Sequence, residues 1–161
     1  MSARDTEPPA AVLLSREIIS VNRETGEGLL RYVALPNFIN RHGTVQGGFL
    51  AAMLDSATSL TLLTCLEADE TAVTRSLSVE FLRPAKPGVI HARTSVISRT
   101  GTAAEVAGEL LDDNGVTVAT AVAMLRVLKS KPVSYTHLDV YKRQVQYKAV
   151  SSPQCSTRLR A

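Results

Sequence analysis

The longest apolar stretch of this 161-residue chain is GGFLAAMLDSATSLTLLTCL, residues 47–66. Its apolar residues recur at spacings of three and four, which predicts a single helix about 30 Å long. Apolar side chains fall on nearly all sides of this helix, so we expect other elements to cover it. A membrane span is disfavoured because the stretch contains Asp55, Ser56, Thr58, Ser59, Thr61 and Thr64.

Extended segments lie on both sides of this helix in the sequence. We expect one strand before it, at residues 28–35, while residues 12–21 fit either a short helix or a first strand. Four strands are expected after it, with an Asn-Gly hairpin turn before the last, at residues 71–82, 89–99, 102–111 and 116–128. In the first of these four, alternation puts on one face Val73, Leu77, Val79 and Phe81. This order predicts an α+β hotdog fold, in which an antiparallel sheet wraps around one long central helix.

The composition indicates one domain with a core of small aliphatic residues. Hydrophobic residues make up 45% of the chain, whereas aromatic residues make up only 4% and Trp is absent. Cys65 and Cys155 lack the spacing of a disulfide framework, a redox motif or a zinc site, so we predict no metal. Residues 1–10 are polar and Pro-rich, without the apolar core of a signal peptide, which predicts a cytoplasmic protein with no membrane partner.

The composition changes abruptly near Pro132. The segment PVSYTHLDVYKRQ, residues 132–144, resembles translated sequencing-adapter readthrough. We therefore expect a disordered N-terminus over residues 1–10, a domain over 11–131 and a non-native tail over 132–161. The alternative is a genuine basic C-terminal arm.

The basic excess of the chain is confined to this tail. The formal net charge is +3, but residues 133–161 contain five basic residues and one acidic residue. The remaining residues contain 13 basic and 14 acidic side chains, a net charge of −1. The predicted domain therefore lacks the basic patch expected of a nucleic-acid-binding protein.

Asp55 is the most informative single residue. It lies inside the apolar helix, where a carboxylate is costly unless it is paired or used in a reaction. A structural Asp, hydrogen-bonded to a strand or to a subunit partner, is the alternative. The segment that leads into the helix favours a functional role: Gly47 and Gly48 let a substrate approach the backbone, and the free N–H groups of a first helical turn suit a developing oxyanion.

These residues form part of a recognisable pattern. It consists of Asn40-x-x-Gly43-x-x-Gln46-Gly47-Gly48, Leu54-Asp55-x-Ala57 and Val79-x-Phe81-Leu82-Arg83-Pro84-Ala85. The pattern resembles the acyl-CoA thioesterases of the phenylacetate-pathway (PaaI-like) type, within the 4-hydroxybenzoyl-CoA thioesterase superfamily. The resemblance covers residues 28–128 and implies hydrolysis of an acyl-CoA, with coenzyme A entering as part of the substrate and no separate cofactor.

The resemblance also implies roles for individual residues. Asp55 would act as general base or nucleophile, the Gly47 amide would polarise the thioester carbonyl, Asn40 would position water or substrate, and Thr74 would hydrogen-bond near the acid. The family usually has His where this chain has Gln46. Because a neutral amide can orient a carbonyl but cannot carry a proton, Gln46 is expected to orient rather than to titrate.

Helix geometry predicts the state of assembly. Gly47 and Asp55 are eight residues apart, so they lie about 12 Å apart along the helix axis. Both have to come within about 3 Å of one thioester, which an antiparallel copy of the helix across a two-fold axis allows. We therefore expect a homodimer at minimum and consider a tetramer of two dimers. The resemblance implies the same, because family members place the acid and the glycine amide on different subunits.

Positive charges and competing functions complete the sequence interpretation. Arg83, Lys86 and Arg99 are candidates for contacts to the phosphates of coenzyme A, although each also fits an ordinary solvated turn charge.

A non-catalytic acyl-CoA-binding hotdog domain would be expected to carry a DNA-binding helix-turn-helix, for which the chain has no room. A hotdog hydratase or dehydratase would pair its Asp with a His, and none follows Asp55 at a suitable spacing.

Overall fold

The computed structural model describes residues 7–129. The elements in chain order are α1 (Pro9–Leu13), β1 (Glu17–Asn22), β2 (Glu27–Ala34), a 3-10 helix (Pro36–Phe38), α2 (Gly47–Cys65), β3 (Glu70–Phe81), β4 (Gly88–Arg99), β5 (Ala103–Leu111) and β6 (Thr117–Lys129). The long helix and the strands after it therefore lie within one or two residues of their predicted positions.

The N-terminal predictions need correction. Residues 12–21 contain both of the alternatives, since they span the end of α1 and most of β1. The expectation that residues 1–10 are disordered is wrong for Pro9 and Ala10, which form the first turn of α1, where proline is favoured. The predicted tail, residues 132–161, lies outside the described residues, as do residues 1–6.

All six strands form one antiparallel sheet. Its order is β1-β2-β4-β5-β6-β3. The strand β3, which directly follows α2 in sequence, therefore lies at one edge of the sheet and pairs only with β6 among the described strands. The helix packs across the inner face of the sheet and contacts all six strands. This arrangement confirms the predicted hotdog fold.

The core lies between α2 and the sheet. Its largest fully buried side chains come from α2, from β2, from β4 to β6 and, with Phe38, from the 3-10 helix; among them are Leu30, Met53, Leu54, Leu60, Ile90, Leu110 and Val118. Within the described residues, α2 is long and apolar enough to cross a membrane by length and composition alone. Its packing on the sheet is that of the central helix of a folded domain.

A close approach between helix and sheet is centred on Gly28. A side-chain carbon at this position would lie 2.3 Å from Thr61 Oγ1 and 2.5 Å from Thr94 Oγ1. These two buried hydroxyls hydrogen-bond to each other at 2.6 Å, which satisfies both inside the core. Glycine in β2 therefore lets the C-terminal half of α2 lie directly against the sheet.

A β-bulge in β3 changes which side chains face the helix. The pairing of β3 with β6 is regular except between Thr74 and Ser76, where one extra residue is inserted. The predicted alternation holds at Leu77 and Val79, which pack against the core, but it is wrong for Val73, which is 50% exposed. Beyond the bulge, it is Thr74 that faces α2.

Candidate active site around Asp55

Asp55 lies near the middle of α2 and is half-buried beside β3. Its Oδ1 accepts a hydrogen bond of 2.7 Å from Thr74 Oγ1, and Thr74 Oγ1 lies 3.0 Å from Ser59 Oγ. A hydroxyl has a single proton, and Thr74 gives its proton to the carboxylate. Ser59 is therefore the donor to Thr74, and the three residues form a directed chain that ends on Asp55.

The carboxylate keeps one oxygen available. Among residues 7–129, Asp55 Oδ2 has no hydrogen-bond partner, whereas Oδ1 is fixed by Thr74. An acid held through one oxygen can present the other to a water molecule or to a carbonyl carbon. The predicted role of Thr74 beside the acid agrees with this geometry.

A second group of side chains lies beside Asp55, on the part of α2 that faces β2. Arg16 Nη1 donates a hydrogen bond of 3.1 Å to Ser56 Oγ, and the Tyr32 hydroxyl lies next to Ser56. Tyr32 is fully buried, and its hydroxyl has no well-formed hydrogen bond within the described part of the chain. Burial raises the pKa of Tyr32 to about 12; the Ser56 contact and the Arg16 charge lower it, and the Asp55 charge raises it.

The N-terminal end of α2 carries the predicted oxyanion donors. Gln46 precedes the first turn and is exposed, and its side chain does not cap the helix. The N–H groups of Gly47 and Gly48 make no hydrogen bond to any described residue, as expected for a first turn. The Phe81 ring covers Gly47: a side-chain carbon there would lie 3.1 Å from the ring. Of the side chains that the structure describes, none lies within 4 Å of the same position on Gly48.

The loop before the helix is folded around Asn40. Asn40 Oδ1 accepts hydrogen bonds from the amides of His42 (2.8 Å) and Thr44 (3.4 Å), and Asn40 Nδ2 donates to Thr44 Oγ1 at 3.0 Å. These bonds give Asn40 a structural task inside the loop. The structure does not bring its side chain to Asp55 of the same chain. His42 is exposed and contacts Arg41, as expected for a loop histidine.

Within one chain the two halves of the predicted site stay apart. Because α2 is unbroken from Gly47 to Cys65, the Gly47 amide and Asp55 are separated by about 12 Å along its axis. The strand β3 runs the opposite way beside the helix. Its Thr74 end lies at Asp55, and its Phe81 end lies at Gly47.

The three predicted phosphate contacts differ in position. Arg83 is exposed and donates to the Thr117 carbonyl at 3.0 Å, and Lys86 is exposed in the turn before β4. Arg99 pairs with Glu70 and with the Cys65 carbonyl, at the C-terminal end of α2, about 27 Å from Gly47. The structure therefore does not bring Arg99 together with the oxyanion donors.

Other features lie apart from Asp55. No cluster of three or more potential metal ligands occurs among residues 7–129. The absence of a metal stays a prediction. A depression of about 810 Å³ lies across the sheet face opposite α2. It follows a row of paired strand residues, Ser20, Leu29, Arg93, Glu109, Thr120 and Glu80, and includes none of the candidate site residues.

Sequence reasoning missed Ser59, Phe81 and Arg16 as members of this region. Ser59 had a detectable signal, because residues four apart share a helix face and Asp55 is its partner at that spacing. Alternation placed Phe81 on the same face of β3 as Leu77 and Val79, yet unlike them it is 55% exposed. Arg16 carried no local signal, since it meets Ser56 only through a contact 40 residues away in sequence.

Comparison with known proteins identifies the family of this chain. The model of the thioesterase superfamily matches residues 42–119, which include the helix and its glycine-rich start. A candidate thioesterase of Ralstonia eutropha, related to phenylacetic acid degradation, is 38% identical; the match covers 74% of this chain and 90% of that one, with a TM-score of 0.73. The chain belongs to the thioesterase superfamily.

Two further similarities bear on the activity. A Bacillus halodurans protein solved with CoA is 26% identical, with 78% of this chain and 79% of that chain covered and a TM-score of 0.67. A candidate esterase of Saccharolobus solfataricus is 27% identical over 111 residues, which are 69% of this chain and 79% of the relative. Together with the family, these similarities support a hydrolase activity.

Proposed function

We propose that this protein hydrolyses acyl-CoA thioesters to a free acid and coenzyme A. The observation that carries the proposal is the Asp55 carboxylate, held through Oδ1 by Thr74 at 2.7 Å with Oδ2 available. The family supports thioester hydrolysis, and the similar Bacillus halodurans protein solved with CoA supports a coenzyme A ester as the substrate. The phenylacetate-related relative supports an aryl-acyl ester as a first compound to test.

Asp55 performs the central step in this proposal. As general base it takes a proton from water, whose oxygen attacks the carbonyl carbon; the C–S bond then breaks and the protonated acid returns the proton to the leaving thiolate. As nucleophile, its Oδ2 attacks the carbonyl carbon and the C–S bond breaks, which forms an anhydride and releases the coenzyme A thiolate to take a proton from solvent. Water then cleaves the anhydride to the free acid and the Asp55 carboxylate. Single-turnover hydrolysis in ¹⁸O-water distinguishes the two routes, because only the nucleophilic route can leave the label in Asp55.

The oxyanion is stabilised at the start of a second α2 helix. The N–H of Gly47 is an available donor at the positive end of the helix dipole, and Gln46 beside it can orient the carbonyl. Because Gly47 and Asp55 of one chain are too far apart, the proposal assigns them to different subunits of a homodimer.

The edge strand β3 offers the route to this dimer. One side of β3 pairs with β6, and the described residues provide no strand for the other side. Antiparallel pairing of β3 with its copy, centred between Thr74 and Phe81, would set the Thr74 end of one subunit against the Phe81 end of the other. Asp55 of one chain would then face Gly47 of its partner. Arg83 and Lys86, close in sequence to the Phe81 end, are proposed as coenzyme A phosphate contacts.

The experiment is a thiol-release assay on a panel of acyl-CoA esters. We expect hydrolysis by the wild-type chain and a loss of at least ~100-fold in kcat for Asp55→Asn, since the amide can neither accept a proton nor attack. The matched control is Asp69→Asn, because Asp69 is an exposed carboxylate paired with Lys129 at the surface. Full activity of Asp55→Asn would remove Asp55 from the mechanism. Tight binding of the esters without hydrolysis would favour a non-catalytic binding domain instead.

A further inference from the structure

Ser59 and Asp55 contact the same side chain of the neighbouring strand. They are four residues apart on α2 and therefore share one face of the helix. Thr74 Oγ1 lies 3.0 Å from Ser59 Oγ and donates to Asp55 Oδ1 at 2.7 Å. All three side chains are half-buried. The Thr74 hydroxyl is thus placed between two polar groups from successive turns of one helix.

The hydroxyl of Ser59 bonds outside its own helix. A Ser or Thr inside a helix often donates to the carbonyl one turn earlier, as Thr64 does to the Leu60 carbonyl at 3.0 Å. Ser59 instead reaches across to β3 and Thr74. Because the Thr74 proton is already given to Asp55, Ser59 donates its own proton to Thr74. The proton of Ser59 is therefore committed to a contact between elements.

The backbone that carries Thr74 is weakly fixed by the sheet. Thr74 lies at the β-bulge, where the pairing of β3 with β6 shifts register before Ser76. A bulge interrupts the ladder of hydrogen bonds, and β3 is an edge strand with no partner on its outer side among the described strands. The position of the Thr74 hydroxyl therefore depends on the side-chain bonds that tie it to α2.

A hydroxyl whose sole side-chain partner were Asp55 would follow the carboxylate rather than hold it. Ser59 supplies a second bond, which starts from a different turn of α2 and does not involve the acid. By filling a lone pair of Thr74, it directs the Thr74 proton towards Asp55, and hydrogen bonds in such a chain strengthen one another.

We propose that Ser59 is a positioning residue that acts on Asp55 through Thr74. It holds the Thr74 hydroxyl where that hydroxyl binds Oδ1, and this leaves Oδ2 directed at the substrate. The inference deepens the proposed function and rests on it, because it concerns how the acid used in hydrolysis is held.

The kinetic test compares Ser59→Ala with Ser59→Thr in the full chain. For Ser59→Ala we expect kcat to fall by about 10-fold with KM within about twofold, because the acid is less well oriented while the substrate contacts remain. Ser59→Thr keeps the donor and should recover kcat to within about threefold of wild type. Alanine is the better helix former, so a weakened α2 would not explain the loss. Wild-type kcat in Ser59→Ala, or equal losses in both variants, would overturn the proposal.

Thr64→Val is the matched control. It removes a half-buried hydroxyl from the same helix, but one whose hydrogen bond to the Leu60 carbonyl stays within α2. We expect its kcat to lie within about twofold of wild type. A fall as large as that of Ser59→Ala would show that activity responds to any hydroxyl lost from the helix, against a specific role of Ser59.

A double-mutant cycle tests whether Ser59 acts through Thr74. Thr74→Val removes the hydroxyl and keeps the branched shape of the side chain. In that background, Ser59→Ala should change the residual kcat by less than about twofold, because the group it holds is already gone. The same loss with and without the Thr74 hydroxyl would contradict the proposed route.

A crystal structure of Ser59→Ala gives a readout independent of activity. We expect the distance from Thr74 Oγ1 to Asp55 Oδ1 to increase from 2.7 Å to beyond hydrogen-bonding range, and to stay at 2.7 Å in Thr64→Val. An unchanged distance in Ser59→Ala would overturn the proposal. If Asp55→Asn proves fully active, the proposed function fails on that result, and this distance still decides whether Ser59 positions the carboxylate.

Discussion

At the scale of single residues, Tyr32 shows how the core beside the site responds to pH. It is the only Tyr before residue 132, and burial raises its pKa to about 12 from an ordinary value near 10. The unfolded chain therefore loses this proton at lower pH than the folded chain does. The stability that Tyr32 contributes is complete below pH 10 and decreases as the pH rises towards 12.

The variant Tyr32→Phe tests this linkage. At pH 7 we expect its free energy of unfolding to lie within about 1 kcal/mol of wild type, because the lost hydroxyl has no well-formed bond among residues 7–129. Between pH 10 and 12 the wild type should lose roughly 1.4 kcal/mol per pH unit relative to the variant. Urea unfolding at pH 7, 10 and 11 measures the difference, and all other alkaline groups titrate in both proteins. Parallel stability curves for the two proteins would contradict the prediction.

At the scale of elements, the loop of residues 40–44 sets where α2 begins. Asn40 holds this loop through two backbone amides and the Thr44 hydroxyl, and the Gln46 amide bonds to the Phe38 carbonyl at 2.8 Å. The orientation of the first helical turn, with its available N–H groups, thus depends on a short polar loop. Asn40 therefore acts on the start of α2 through this loop.

Two substitutions at Asn40 distinguish the role of its accepting oxygen, Oδ1, from that of its donating nitrogen, Nδ2. Asn40→Asp keeps the oxygen that binds the His42 amide, whereas Asn40→Ala removes it. We expect hydrogen exchange of the His42 amide to become at least ~10-fold faster in Asn40→Ala and to stay close to wild type in Asn40→Asp. Asn37→Ala, at an exposed position of the 3-10 helix before the loop, serves as the control. Equal protection of the His42 amide in both Asn40 variants would show that the loop does not depend on this side chain.

The elements also show what one sequence can and cannot predict here. The extent of helix α2, the positions of the strands along the chain and the significance of Asp55 inside an apolar helix follow from periodicity and from the cost of burying a carboxylate. The order of the strands within the sheet was not predicted. The position of Thr74 came from family resemblance. Alternation alone puts Val73 inward, and only the bulge before Ser76 turns Thr74 to the helix. Contacts such as Arg16 with Ser56 depend on how distant segments pack, which no local pattern specifies.

At the scale of the whole molecule, the catalytic proposal requires two chains. The sheet ends at β3, whose outer edge is unpaired among the described strands and carries the exposed Val73. Unpaired edges of this length are normally covered or blocked. In the proposed dimer a second copy covers β3 and would bring together the two groups that one helix keeps about 12 Å apart. We therefore expect loss of assembly to abolish activity.

Mixed dimers of two inactive variants test this dependence. Asp55→Asn lacks the acid, and Gly47→Val crowds the Phe81 ring and blocks the oxyanion donor. If each site combines Asp55 of one chain with Gly47 of the other, a mixed dimer has one intact site and one doubly altered site. Random assembly makes half the dimers mixed, so about a quarter of wild-type activity should return on co-expression. Each variant expressed alone, which forms only homodimers of that variant, is the control. Sites contained within a single chain would recover nothing, because every chain in the mixture carries one of the two defects.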